Sequence, residues 1–85
     1  MSTAKTTVTV ELQYPIENEG KTLKTITMRR PTVGDSVTVQ QGASGAAEVE
    51  LRLVSLLSSL SIETIAKLDM KDYVQVQSVM REMMG

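Results

Sequence analysis

The chain has 85 residues, 41% of them apolar, with nine Lys+Arg against ten Asp+Glu and no cysteine or histidine. At this length folding hides only about 60–65% of the surface of the unfolded chain, so a single domain (1–85) with a thin core is the expectation. Without cysteine or histidine there is no disulfide, thiol nucleophile or imidazole acid/base, so an enzyme, a metal site and a bound cofactor are all disfavoured.

Charge and hydropathy narrow the classes further. Residues 1–40 carry five positive and four negative groups and residues 41–85 four and six, which offers no basic footprint for a nucleic acid. No apolar run approaches the ~18 residues of a membrane span, and Met1-Ser2-Thr3-Ala4-Lys5 leads into threonines instead of a signal-peptide core. A cytosolic protein is expected. Nine of the ten threonines lie in residues 1–38, whereas six of the eight leucines and four of the six methionines follow residue 50. Thr and Val suit a pleated sheet, Leu and Met a helix, so the class read from this shift is α+β: an N-terminal β-hairpin followed by three to four helices.

In chain order, Val8, Val10 and Leu12 alternate with Thr7, Thr9 and Glu11, the period of a strand with one dry face. Pro15 should end that strand. Asn18-Glu19-Gly20-Lys21 supplies a turn, and Thr22 to Arg29 alternates again with Ile26 and Met28 on one face, completing a hairpin over 7–30. Pro31 stops the second strand. Thr32 and Asp35 form a capping-box-like pair for a short helix over 33–41, whose β-branched interior (Val37, Thr38, Val39) and Gly34 make it dependent on tertiary contacts. Gln40 to Gly45 reads as a flexible link to a helical part over 46–84.

There Val49, Leu53, Leu56, Leu57 and Leu60 fall on one apolar stripe, with Leu51 and Val54 beside or off it. The helix is therefore apolar on more than one side and should touch two neighbours. Ser61 caps a short helix, Ile62 to Lys67, with Glu63 in its first turn. Asp69 caps a final helix in which Asp72 occupies the N3 position and Tyr73, Val76, Met80 and Met83 recur at 3–4 residue spacing.

Four constellations bear on chemistry. Asp35-Ser36-Val37 resembles the Asp-Ser-Leu site at which acyl carrier proteins accept phosphopantetheine, making modification on Ser36 an alternative; but a carrier domain is all-helical, whereas a Thr-rich hairpin precedes Ser36 here. Arg29-Arg30 would suit a phosphate or carboxylate, yet a strand end paired with a nearby carboxylate explains it as well. Asp69 and Asp72 lack the further oxygen or histidine ligands a divalent cation needs, and helix capping accounts for both. Val79 and Met84 do not align with the core face of the last helix. Together with Leu51, Val54, Met80 and Met83 they are the candidate partner-binding surface, since methionine adapts to varied partners.

Tyr14-Pro15-Ile16 followed by Gly20-Lys21, then Met28-Arg29-Arg30-Pro31-Thr32-Val33-Gly34-Asp35, then Leu60-Ser61-Ile62-Glu63 leading to Leu68-Asp69-Met70-Lys71-Asp72-Tyr73, resemble in order and spacing the tail assembly chaperones of Mu-like and related contractile-tailed bacteriophages. The motif residues are Pro15, Gly20, Arg29, Arg30, Pro31, Asp35, Leu68, Asp69, Asp72 and Tyr73. The resemblance implies a non-enzymatic helper, made in the bacterial host cytoplasm during infection and absent from the mature virion. Its implied partner is the long, helical tape-measure protein, kept soluble while tail-tube subunits polymerise; the tail-tube protein is a further candidate partner, and self-association is left open. Many members of that family also exist in a C-terminally extended form made by frameshifting. The glycine-rich Gln41–Gly45 stretch and the lack of an aromatic near Met83-Met84 depart from the pattern. A generic structural or adaptor module of a phage particle is the remaining alternative.

Overall fold

The structure is a computed structural model that describes residues 7–84; the readings placed on residues 1–6 and on Gly85 lie outside them. Six elements follow in order: β1 (Thr7–Asn18), β2 (Lys21–Arg29), α1 (Val33–Gln40), α2 (Ala46–Ser58), α3 (Ile62–Ala66) and α4 (Met70–Met84). The class is α+β, an antiparallel hairpin followed by four helices.

Val8 pairs with Met28 and Val10 with Ile26, so the alternating apolar residues of both strands share one face. Ile26 and Met28 are fully buried on that face, while Thr9 and Thr27 meet on the wet one through their hydroxyls at 3.0 Å. The tip is a two-residue turn. Glu19 at φ 52° and Gly20 at φ 78° both take the left-handed conformation that matches the twist of the flanking strands.

Pro15 does not end β1. Pairing stops after Glu11–Thr25 and resumes at Ile16–Leu23, so residues 12–15 of β1 stand opposite Lys24 alone. This is a large bulge, and the proline sits inside it, where its missing N–H costs no ladder bond.

Beyond Arg29 the capping box forms as the spacing requires: Thr32 Oγ1 accepts from the Asp35 amide at 3.2 Å, and Asp35 Oδ2 accepts from the Thr32 amide at 2.8 Å. At its other end α1 is tied to α2 by Arg52, whose guanidinium donates to the Gln41 carbonyl at 2.6 Å and also pairs with Glu48. The link over 41–45 is thus pinned at both sides: Gly42 turns with φ 69°, and the Ser44 amide and hydroxyl both donate to Glu48.

The α2 helix packs against α1, β2 and α3, one neighbour more than its two apolar sides suggested. Its centre is Leu53, Val54 and Leu57, whereas Leu56, expected on the core stripe, is 37% exposed. It ends at Ser59, held at φ 62° without a glycine's freedom. Ser59→Gly should stabilise the fold by about 0.5–1 kcal/mol, because the left-handed conformation carries a penalty at any residue with a Cβ; a urea midpoint that stays put or falls would contradict this.

Ser61 caps α3 through the Thr64 amide at 3.1 Å, and Thr64 passes its hydroxyl to Asn18 at 3.0 Å, docking α3 under the hairpin tip. Asp69 Oδ1 accepts from the Lys71 amide at 2.9 Å and opens α4, which lies along β1. One core cluster joins all of this, from Val10, Leu12, Ile26 and Met28 through Val39 and the α2 leucines to Ile65, Leu68, Val76, Met80 and Met83.

Candidate functional site: an apolar groove beside the last helix

Between α1, the start of α2 and the end of α4 the surface sinks into an open groove of about 710 Å³. Its floor is buried core: Val39 from α1, Leu53 from α2, and Met80 and Met83 from α4. Its lip is apolar and open, with Val33 84% and Met84 56% exposed. One carboxylate, Glu50, lines it.

The partner-binding candidates therefore divide. Met80 and Met83 are core side chains that show only their edges to the groove, and Met84 is the one that stands free at its lip. Val54 is fully enclosed and reaches no surface, because α2 has neighbours on more than two sides. Leu51 and Val79 are half-buried and lie away from the groove; Val79 flanks a smaller cavity against β1. Sequence periodicity missed Val33. As the first residue of α1 its side chain has no preceding turn to lean on, so helical spacing does not register it.

The motif residues build the frame around the groove. Arg29 grips Asp35 with two hydrogen bonds, at 2.7 and 3.0 Å, which locks the second strand to the start of α1. That guanidinium, with the Thr32 amide behind it, holds the Asp35 carboxyl well below the usual carboxylate range. The sign follows: the contribution is fully present above the ordinary carboxylate pKa of about 4 and is lost as pH falls through the depressed folded-state value. Asp35→Asn should flatten the acid limb of the stability profile below about pH 4; an unchanged limb in acid titrations followed by circular dichroism would refute it. Arg30 turns the other way and donates to the Met83 carbonyl at 3.1 Å, covering the C-terminal end of α4. The two arginines thus act separately, each fixing one wall, and neither holds a free anion site.

Asp72 departs from its expected role. Its spacing predicts a cap, but the carboxylate is 1% exposed and accepts from the amides of Gln13 and Tyr14 at 2.9 and 3.0 Å, across the β1 bulge. Only Asp69 caps. Tyr73 donates its hydroxyl to Glu50 at 2.7 Å, and Gln77 donates to the same oxygen at 2.7 Å, stitching α4 to α2. Burial and the neighbouring carboxylate both push the Tyr73 phenol pKa up. Pro15 lies in the bulge, Gly20 in the turn, Leu68 in the core and Pro31 on the groove wall.

Ser36 sits in α1 on the groove wall, where its hydroxyl accepts from Gln40 at 3.0 Å. The hairpin-first fold differs from the all-helical frame of a carrier domain. No group of three or more His, Cys, Asp or Glu able to hold a metal occurs among the described residues, and no helix among them is long and apolar enough to cross a membrane.

The site is thus an apolar groove framed by an ion pair and a helix cap, on a small α+β module. More specifically, residues 9–85 match the family described as phage tail assembly chaperone proteins, E, or 41 or 14, and the chain belongs to it. No curated protein and no solved structure matches it significantly. Membership gives the protein a role in phage tail assembly, implies a helper with no catalysis of its own, and suggests a phage tail protein as its partner.

Proposed function

We propose that the groove covers an apolar stripe of the tape-measure protein in the host cytoplasm and keeps that protein soluble while the tail tube assembles, the chaperone being absent from the finished particle. The observation that carries this reading is the pair of apolar side chains, Val33 and Met84, left open at the lip of a groove whose floor is already hydrophobic. A helix with anchors at i, i+3, i+4 and i+7 fits such a trough, and methionine adjusts to the irregular side chains of a long client.

Co-expression with overlapping segments of the tape-measure protein should raise the soluble fraction of at least one. The double variant Val33→Gln and Met84→Gln, which leaves the net charge untouched, should remove most of that gain. If no segment becomes more soluble, or the double variant protects as well as the parent chain, the groove is not the client site.

A further inference from the structure

Glu50 is out of place for a surface that only has to be greasy. Among the described residues it is the one charged side chain lining the groove, beside Val39, Val49, Leu53 and the α4 methionines. Its position is built: Tyr73 and Gln77, neither of which lines the groove, donate to the same oxygen, Oε1, at 2.7 Å each. Both donors approach from α4, while the other oxygen, Oε2, receives no hydrogen bond from any described residue and is not a buried unpaired atom. The carboxylate is thus oriented by two fixed donors while keeping one acceptor to offer. Among the described residues no arginine or lysine lines the groove to neutralise it.

We infer that Glu50 selects the occupant of the groove: an amphipathic helix of the client that carries a lysine or arginine at the edge of its apolar stripe, placed to pair with Glu50 Oε2. The inference rests on the groove being the client site and adds the charge the client must bear. Physically, the apolar contacts supply attraction to many helices, while the single carboxylate discriminates among them. A cation finds an oriented partner in surroundings drier than bulk water, and a like charge facing Glu50 is repelled. Tyr73 and Gln77 are positioning residues, since they hold the carboxylate without reaching the groove.

The test uses the full chain and three synthetic amphipathic helices that share a leucine stripe at i, i+3, i+4 and i+7 and differ at one flanking position, Lys, Gln or Glu. By calorimetry at low salt the Lys peptide should bind about five- to tenfold tighter than the Gln peptide, and the Glu peptide should be weakest. Glu50→Gln should shrink the Lys-to-Gln ratio below about twofold, and added salt should shrink it in the parent chain. Should Glu50→Gln fail to fold, the peptide ranking on the parent chain decides alone. Equal binding of all three peptides would overturn the charge selection and leave the groove reading intact. Absence of binding by all three, with Val33→Gln and Met84→Gln equally silent, would overturn both. Self-association that Met84→Gln disrupts and the peptides compete with would place a second copy in the groove and overturn the proposal.

Discussion

Asp72→Ala is expected to lose a large share of the protein's stability, because its buried carboxylate holds two backbone amides of another element. Two amides, those of Gln13 and Tyr14, lie in a stretch of β1 that has only Lys24 opposite it. In a regular ladder a partner strand would satisfy them; here the Asp72 carboxylate does, one oxygen each. Hydrogen bonds to a charged group contribute about 1.5–3 kcal/mol apiece, and a buried amide left unpaired costs about 1–3 kcal/mol. Against a total of roughly 4–13 kcal/mol for a chain of this size, scaled per residue, the alanine variant should lose about 3–5 kcal/mol. Asp72→Asn keeps the shape and one acceptor but turns an amide donor toward a backbone donor, so about 2–3 kcal/mol is expected. Urea unfolding gives both numbers. An alanine variant within about 1 kcal/mol of the parent would show that solvent replaces the carboxylate at the bulge, and the bond would then be incidental.

That bulge also marks where sequence reasoning reached its limit. The hairpin, the capping box at Thr32 and Asp35, the Ser61 cap and the four helix positions were legible because each rests on local chemistry: a two-residue period, a turn glycine, a side chain three residues from the amide it accepts. Pro15 misled because a proline is read as a stop, while its other permitted place, an irregular strand, becomes visible only once a partner for the neighbouring amides is known. That partner lies 58 and 59 residues away in sequence. Asp72 was misassigned for the same reason: its spacing from Asp69 matches a cap, and nothing local says that its carboxylate crosses to β1. Val54 shows the converse error. Helical periodicity ranks the faces of α2 by their leucines, but the packing of α1, β2 and α3 around that helix encloses a face the leucine count placed second. An apolar surface of leucines and methionines past residue 50 was expected, but the α1 wall of the groove escaped, since the groove is a property of three elements at once.

The same substitution at two methionines four residues apart should give opposite results. Met80→Gln places an amide where the side chain is 3% exposed among Val76, Met83 and the α2 leucines. With no partner there the amide forfeits its water, for a cost of about 2–4 kcal/mol when the lost packing is added. Met84→Gln changes a side chain that is 56% exposed and leaves helix propensity almost untouched, so stability should move by no more than about 0.5 kcal/mol. Client protection should follow the other order at fixed folded concentration. Met84→Gln should weaken it severalfold, because an apolar anchor at the lip has become a polar one, while whatever Met80→Gln protein remains folded should protect nearly as the parent does. Thermal unfolding separates the first pair of outcomes and the soluble fraction of a co-expressed client the second. If Met84→Gln instead destabilised the chain as much as Met80→Gln, Met84 would belong to the core, and the groove would lose one of the two exposed side chains that mark it as unfinished without a partner.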